Sequence, residues 1–253
     1  MIDIIAKETY SEIYNEIAEK YKVHDFSPQK EYSLKPTLLE LIGNVDNKKV
    51  LDIGCGSGYF TRVLKNAGAN YVAGVDISEK QIDLAKRIEN EENLGINYYI
   101  GDIRRFKLKE KFDVVSALLV LHYAETEDDL DKMIKCASTH LKNGGIFAGI
   151  VNNFDFPIGG NKEIGALTRY VEEIRDGAKI KVEIYDINKN LATSFYIFHW
   201  SKETYEKLFR KNGFDEIEWK LPMPTEEGLL NVPIDYWKNP TTIAFRCFKK
   251  KSE

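Results

Sequence analysis

Three glycines and an aspartate form the stretch of this chain with the clearest chemical potential. Asp52 stands at the end of a short apolar run, and Gly54, Gly56 and Gly58 follow it at alternate positions. Glycines at this spacing let the backbone turn sharply and approach a ligand closely, and the helix that follows offers unpaired N–H groups. A dinucleotide-binding turn would carry its third glycine at position 59, where this sequence has Tyr59. The stretch therefore predicts a nucleotide-type cofactor site without the dinucleotide spacing.

Two further acids stand where predicted strands end. Asp76 closes an apolar run that begins at Tyr71, and Asp102 follows Gly101 directly after a second run at 96–100. Ligands of parallel α/β sheets bind outside the carboxyl ends of the strands, so both carboxylates are candidates to accept hydrogen bonds from a ligand. The structural alternatives are a helix cap for Asp76 and an ordinary Gly-Asp turn for Asp102.

Alternating strands and helices must position these residues. Short apolar runs alternate with amphipathic stretches from position 49 to position 151, which predicts an α/β fold with a parallel sheet covered by helices on both faces. The predicted strands in this part are 49–53, 71–76, 96–100, 112–117 and 145–151, and the predicted helices up to position 140 are 4–21, 32–42, 59–66, 79–93 and 128–140.

The pattern changes after Val151. A loop is followed by two runs of period two, 179–186 and 191–200, which predict a β-hairpin inserted as a cover over the site. A helix at 202–212 and strands at 214–221 and 241–248 follow. We divide the chain into an N-terminal helical cover (1–43), a cofactor-binding core (44–153), an inserted substrate cover (154–200) and a C-terminal completion of the sheet (201–253).

Composition and charge are those of an ordinary globular protein. The 253 residues are 43% hydrophobic and 30% charged, and the net charge of −4 argues against a nucleic-acid partner. The sequence has no apolar run long enough to span a bilayer and does not begin with a signal-peptide layout, so we expect a cytoplasmic monomer or homodimer with no membrane partner. Its three dispersed cysteines and four histidines lack the spacing of disulfide frames or metal ligands, so we expect no metal.

The order of these motifs resembles the class I S-adenosylmethionine (SAM)-dependent methyltransferases. The resemblance rests on the G-x-G-x-G turn, the strand Ala73-Gly-Val-Asp-Ile77, the pair Gly101-Asp102 and the run Phe112–Tyr123, and it covers about residues 10–151. It implies a doubly wound, seven-stranded, mostly parallel Rossmann-like sheet with an antiparallel last strand, and SAM as cofactor with S-adenosylhomocysteine as product. The cofactor-binding residues that it implies are Tyr21, Asp52, Gly54, Cys55, Gly56, Gly58, Asp76, Ile77, Gln81, Gly101, Asp102, Ile103, Leu118 and Leu119.

The resemblance also implies individual roles for the acids. Asp76 would accept both ribose hydroxyls while Ile77 packs on adenine. Asp102 would accept from the adenine amino group, and the N–H of Ile103 would donate to the ring. Asp52 would orient the methionine amino group, with a turn-stabilising acid as the alternative.

Two residues are candidates for catalysis. His122 follows the fourth strand and is either a polar group or base beside the transferring methyl, or a histidine of the cofactor shell or a helix cap. Tyr21 would cover the sulfonium or bind the methionine carboxylate from the N-terminal helix. Cys55 within the turn is expected to be a small packing residue rather than a nucleophile.

More narrowly, the chain resembles methyltransferases of small metabolites and antibiotics, including the toxoflavin N-methyltransferase-like group. The supporting stretches are 14–21, Leu121-His-Tyr-Ala124 and 240–245, although Asn15 replaces the acid of the usual Tyr-Asp pair. The sequence has no Asn/Asp-Pro-Pro-Tyr after strand four, which argues against the nucleic-acid amino methylases. It also has no carboxylate at the end of that strand, which argues against a catechol-type magnesium site.

These implications predict a methyltransferase that acts on a nitrogen or oxygen of a small-molecule acceptor by in-line displacement. The alternatives are a SAM-binding regulator without turnover and an NAD-dependent oxidoreductase. Aromatic residues of the cover predict a flat or partly apolar acceptor cavity, with the small core of the hairpin as the alternative. They are Phe154, Phe156, Tyr170, Tyr196, His199 and Trp200.

Overall fold

The computed structural model describes residues 28–155, 158–161, 166–185, 188–231 and 240–251. The helical stretch predicted at 4–21, with Tyr21, lies outside them, as does Phe156. A π-helical turn, Lys30–Leu34, opens the described part. The helices that follow are α1 (Lys35–Ile42), α2 (Tyr59–Asn66), α3 (Glu79–Glu92), α4 (Glu127–His140), α5 (Lys202–Lys211) and α6 (Glu226–Asn231).

Seven strands form the main sheet, which confirms the predicted α/β fold. They are β1 (Lys49–Ile53), β2 (Tyr71–Asp76), β3 (Asn97–Ile100), β4 (Phe112–Leu118), β5 (Leu141–Asn152), β10 (Phe214–Lys220) and β11 (Thr242–Lys249). Their order is β10-β11-β5-β4-β1-β2-β3, and β11 alone runs antiparallel to its neighbours. The chain leaves β1 toward β2 and returns to β4 on its other side, so the ends of β1 and β4 form the switch point where such sheets bind ligands.

Each face of the sheet carries its own apolar core. Helices α4 and α5 cover one face, where Ile134 and Phe209 are fully buried. Helices α1, α2 and α3 cover the other, where Leu38, Leu64 and Ile82 are fully buried. The central strands are nearly continuous apolar runs because both faces are covered.

The predicted hairpin cover is in fact a four-stranded antiparallel sheet. Its strands are β6 (Gly159–Asn161), β7 (Ala166–Tyr170), β8 (Lys179–Tyr185) and β9 (Leu191–Phe198), in that spatial order. The hairpin is its β8–β9 half. One face forms a small core of Ile180, Val182, Ile184, Phe195 and Ile197, against which Tyr123 from the loop after β4 packs.

Two further local differences from the predicted elements concern helices. The first three residues of the helix predicted at 32–42 belong to the π-helical turn rather than to α1. Helix α6 was not predicted, because its six residues are too few to show a helical period. Within the described ranges no helix is long and apolar enough to cross a membrane. The division of the chain into four segments stays a prediction.

Candidate functional site

The glycine turn after β1 lies at the switch point, between β1 and α2. A Cβ added to Gly58 would lie 2.3 Å from the hydroxyl oxygen of Tyr98, and one added to Gly54 would lie 2.3 Å from Val120. Gly56 has φ of 53°, and no atom of the described residues lies within 4 Å of the position that its Cβ would take. The outer glycines thus let neighbouring side chains pack under the turn, whereas Gly56 borders open space on the ligand side.

Asp76 ties this turn to the next unit of the sheet. One carboxylate oxygen accepts from the N–H of Gly56 at 2.9 Å, and the other accepts from the N–H of Ser78 at 2.9 Å. Desolvation raises the pKa of Asp76, and the backbone donors oppose the shift. The residue that caps α3 is Ser78 rather than Asp76, because the Ser78 hydroxyl accepts from the N–H of Gln81 at 3.2 Å. Asp76 therefore joins the β1 and β2 ends of the candidate site.

Two further residues predicted to bind the cofactor follow Asp76 in the chain. The Ile77 side chain is 37% exposed at the end of β2 although it is apolar. Gln81 is buried in the first turn of α3, and its side-chain oxygen has no hydrogen-bond partner among the described residues. A buried acceptor without a donor costs free energy, so this oxygen fits a site that a ligand donor completes.

Asp52 lies beneath the turn rather than on its surface. Asp52 is only 1% exposed. Its two carboxylate oxygens accept from the hydroxyls of Thr61 at 2.7 Å and Ser116 at 2.8 Å. Burial raises its pKa to about 6. The carboxylate links β1 to α2 and β4, which matches the turn-stabilising alternative; its contact with the methionine amino group stays a prediction.

Cys55 occupies a packed position inside the turn. Its sulfur lies 2.9 Å from the position that a Cβ on Gly74 would take, so glycine at 74 makes room for it. Burial raises the pKa of the Cys55 thiol well above its ordinary value. The thiol is therefore protonated at neutral pH, as expected of a packing residue rather than a nucleophile.

The loop after β3 holds Gly101, Asp102 and Ile103. The N–H of Gly101 donates to the carbonyl of Asp76 at 2.8 Å, which places this loop beside the β2 end. The side chain of Ile103 is buried in the core on the α4 and α5 face. The carboxylate of Asp102 is paired with Arg104 at 2.8 Å, a contact that the sequence reasoning missed.

The fourth strand ends in a strained turn that His122 stabilises. Leu118 is buried, and Leu119 has φ of 56°, a region that costs a residue with a Cβ about 1–2 kcal/mol. The buried His122 ring accepts from the N–H of Asn152 at 3.2 Å through Nδ1 and is also hydrogen-bonded to the backbone of Leu119. Burial lowers the pKa of His122 to about 3, so the ring is neutral and a weak base. His122 thus contacts the backbone of Leu119 and Asn152, and its predicted roles, a polar group beside the transferring methyl or a histidine of the cofactor shell or a helix cap, stay predictions.

The π-helical turn Lys30–Leu34 contacts the first residue of α2. The hydroxyl of Tyr59, directly after the glycine turn, donates to the carboxylate of Glu31 at 2.7 Å. Lys35 pairs with the same carboxylate and, with Tyr59, lowers the pKa of Glu31. This tie was not predicted, because the two residues are 28 positions apart in the sequence.

Among the described residues, the aromatic side chains expected to line one acceptor cavity are only partly brought together, with Phe154 and His199 in the same cleft. Trp200 is buried in the main core and donates to the carbonyl of Ala124 at 3.1 Å. Tyr170 pairs with His199 at 2.9 Å, and Tyr196 is 44% exposed. A cleft of about 390 Å³ lies beyond the end of β5, at the first turn of α5. It is lined by Phe154, Asp155, His199, Ser201, Lys202, Glu203, Trp219 and Ile243.

Within the described ranges, no three histidine, cysteine or acidic side chains are grouped so that they could hold a metal ion.

Part of the chain matches a known protein family. Residues 50–145 match the family model described as "Methyltransferase domain". This span runs from β1 into β5 and contains the glycine turn, Asp76 and Asp102.

Curated relatives match over the same part of the chain. The ubiquinone biosynthesis O-methyltransferase of Coxiella burnetii (strain Dugway 5J108-111) is 38% identical over 110 residues, which is 42% of this chain and 45% of that protein. The protein of the same name from Pelagibacter ubique is 35% identical over 134 residues, 50% of this chain and 54% of that protein. The matched region thus spans about half the length of these relatives.

Solved structures share the fold over most of the chain. A SAM-dependent methyltransferase from Mesorhizobium loti has a TM-score of 0.64 at 22% identity, with 89% of this chain and 99% of that chain covered. A SAM-bound amino pentose methyltransferase from Micromonospora echinaspora has a TM-score of 0.57 at 16% identity, with 96% and 93% covered. The chain therefore contains, at residues 50–145, a methyltransferase domain and has the fold of the class I SAM-dependent methyltransferases.

Proposed function

We propose that this protein is a SAM-dependent methyltransferase that transfers a methyl group to a nitrogen or oxygen of a small-molecule acceptor. The observation that carries the proposal is the turn at Gly56, which opens to free space while its N–H is held by Asp76 at 2.9 Å. The matched methyltransferase domain supports the same cofactor. NAD as the cofactor has less support, because Tyr59 stands where the dinucleotide turn needs glycine.

The residues present fit SAM along the carboxyl edge of the sheet. The turn at 54–58 would hold the methionine end, Asp76 the ribose hydroxyls, and Ile77 one face of adenine. The unpartnered oxygen of Gln81 provides a further acceptor beside Ile77. Asp102 and the backbone of Ile103 would bind the adenine edge, and Leu118 and Leu119 would line the other side. Tyr21 would complete the methionine end.

When bound, SAM supplies a methyl group already activated on a sulfonium. The chain must then align the acceptor with the S–CH₃ bond and exclude water, and proximity of this kind can supply about 7–11 kcal/mol of the barrier. His122 is neutral and weakly basic at the end of β4, so it supports the loop at Leu119 rather than removing a proton. We therefore expect acceptors that present a lone pair without a strong base, such as amines or acidic phenols.

The acceptor atom is open between nitrogen and oxygen. The curated relatives are named as O-methyltransferases, whereas one structural neighbour is an amino pentose methyltransferase. The net charge of −4 supports a small molecule over a nucleic acid. We also propose a cytoplasmic monomer or homodimer that acts without a metal.

A labelled-methyl assay tests this function. The protein is incubated with methyl-labelled SAM and two panels, one of primary and secondary amines and one of catechols and other phenols. We expect transfer to members of one panel, and loss of that transfer in Asp76→Ala. Binding of SAM without transfer in either panel would favour a regulator that binds SAM without turnover.

A further inference from the structure

Arg104 grips the carboxylate of Asp102 in a two-pronged pair. Its Nε donates to Oδ1 at 3.0 Å and its Nη2 donates to Oδ2 at 2.8 Å. The backbone N–H of Arg104 also donates to Oδ1 at 2.9 Å. Paired N–H donors of this kind fix the plane of a carboxylate as well as its position. Asp102 is therefore held in one orientation beside the end of β3.

The same guanidinium is anchored on its far side. Its Nη1 donates to Oδ1 of Asp129 at 3.2 Å, in the first turn of α4. Asp129 is itself fixed, because its Oδ2 accepts from the hydroxyl of Thr126 at 3.0 Å and its N–H donates to that hydroxyl at 3.1 Å. Arg104 thus bridges the loop after β3 to the start of α4, and its position does not depend on Asp102 alone.

Arg105 offers a natural comparison at the next position. Its side chain is 85% exposed, and its Nε lies 3.7 Å from the same carboxylate, beyond hydrogen-bond distance. Arg104 is 40% exposed and makes all of its contacts within hydrogen-bond distance. Two adjacent arginines therefore place the same charge near Asp102, but only one of them orients it.

We infer that Arg104 is a positioning residue for the adenine end of the cofactor, acting through Asp102. The inference rests on the proposed SAM site. By fixing Asp102 as an ionised group that only accepts, Arg104 directs the lone pair left on Oδ2 of Asp102 to a donor, which suits the exocyclic amino group of adenine and disfavours a 6-oxo group.

The charge state of Asp102 supports this role. Partial burial raises the pKa of this carboxyl, but the side-chain and backbone hydrogen bonds of Arg104, together with the charges of Arg104 and Arg105, outweigh burial and hold the pKa below its ordinary value. Among the described residues, the titratable and charged groups near Asp102 are Arg104, Arg105, the thiol of Cys136 on α4 and, on the far side of Arg104, Asp129. Burial raises the pKa of that thiol to about 12, so the thiol is neutral. Ionisation of Asp102 at low pH therefore depends chiefly on Arg104.

A double-mutant cycle with a matched control tests the inference. The full-length protein and the variants Arg104→Gln, Arg105→Gln, Asp102→Asn and Asp102→Asn/Arg104→Gln are titrated calorimetrically with S-adenosylhomocysteine and with its 6-oxo analogue, from pH 5 to pH 8. We expect Arg104→Gln to weaken S-adenosylhomocysteine binding about tenfold at pH 7 and more at pH 5, because burial then raises the pKa of Asp102 without the guanidinium to oppose it. Arg105→Gln should change the affinity less than twofold. In the Asp102→Asn background the Arg104 change should have no further effect.

Three results would overturn the inference. One is unchanged or tighter binding by Arg104→Gln, which would show that the guanidinium is a spectator or a competitor for the carboxylate. Another is an equal loss in the Asp102→Asn background, which would show that Arg104 does not act through Asp102. The last is a uniform loss for both ligands with no pH dependence, the signature of a purely structural role. Failure of the unaltered protein to bind S-adenosylhomocysteine would instead refute the proposed function on which the inference rests.

Discussion

Replacement of Gly56 by alanine separates the fold from the cofactor site. Gly56 has φ of 53°, and in the part of the chain that the structure describes, the position of its Cβ meets no atom within 4 Å. Gly213, after α5, has φ of 81° and equally open surroundings, far along the chain from the glycine turn. The two glycines therefore share the backbone demand and differ in their place in the fold. Gly213→Ala is the matched control.

The expected magnitudes follow from these two environments. A left-handed backbone costs a residue with a Cβ about 1–2 kcal/mol, and reduced freedom of the unfolded chain offsets about 0.4–1 kcal/mol of that. Both variants should thus lose about 1 kcal/mol of unfolding free energy, with no added clash. Only in Gly56→Ala does the new methyl group enter the space assigned to the cofactor. Its affinity for S-adenosylhomocysteine should fall at least about tenfold, or about 1.4 kcal/mol.

Urea unfolding measures the stability of both variants, and calorimetry measures their binding. Equal stability losses with a binding loss confined to Gly56→Ala would support the assigned site. Equally tight binding of S-adenosylhomocysteine by Gly56→Ala and Gly213→Ala would contradict the assignment of the cofactor to the glycine turn. The open space over Gly56 would then lie outside the cofactor site.

Three further predictions concern single side chains. Because burial raises the pKa of Asp52 from 3.8 to about 6, its contribution favours folding below pH 3.8 and is lost as pH rises through 6. Urea unfolding of the natural protein relative to Asp52→Asn should therefore show a fall of about 2 kcal/mol from pH 4 to pH 6.5, out of about 3 kcal/mol over the whole titration at 1.36 kcal/mol per pKa unit, and a flat difference would contradict this. His122→Ala removes the ring nitrogen that accepts from the N–H of Asn152 and should lower the unfolding free energy by about 1–3 kcal/mol in urea. NMR titration should find the natural His122 ring neutral down to pH 5, and a titration midpoint near 6.5 would restore the general-base role. Asp76→Ala should weaken S-adenosylhomocysteine binding in calorimetry by about 1–3 kcal/mol, whereas unchanged affinity would reduce Asp76 to a structural link between Gly56 and Ser78.

The parallel core could be predicted from the sequence because its signals are local. Strands β1 and β4 are short apolar runs followed by a turn, and each amphipathic helix shows its period within its own residues. The position of the glycine turn and of Asp76 at adjacent strand ends then follows from the parallel arrangement.

The cover was only half predictable for the opposite reason. Strands β8 and β9 alternate clearly, with Val182 and Phe195 paired on the inner face. The partner of Val182 in β7 is Thr168, and β6 is a three-residue strand that begins with two glycines. Such strands carry no apolar alternation, and the pairing of β7 with β8, and of β6 with β7, supplies the order that their own residues lack.

The interactions that refine the site join residues remote in the sequence. Asp52 accepts hydrogen bonds from both Thr61 and Ser116. Arg104 joins Asp102 to Asp129, which lies 25 positions after Arg104 in the chain. Neither set shows a spacing that a local reading could detect. Only the basic residue two positions after Asp102 was a visible signal, since such a residue can fold back onto the acid.

The central claim is that the switch point of the sheet binds SAM. Calorimetric titration of the natural protein with S-adenosylhomocysteine, with NAD as the parallel ligand, tests it most directly. We predict one S-adenosylhomocysteine site per chain and no binding of NAD. Binding of NAD without binding of S-adenosylhomocysteine would contradict it.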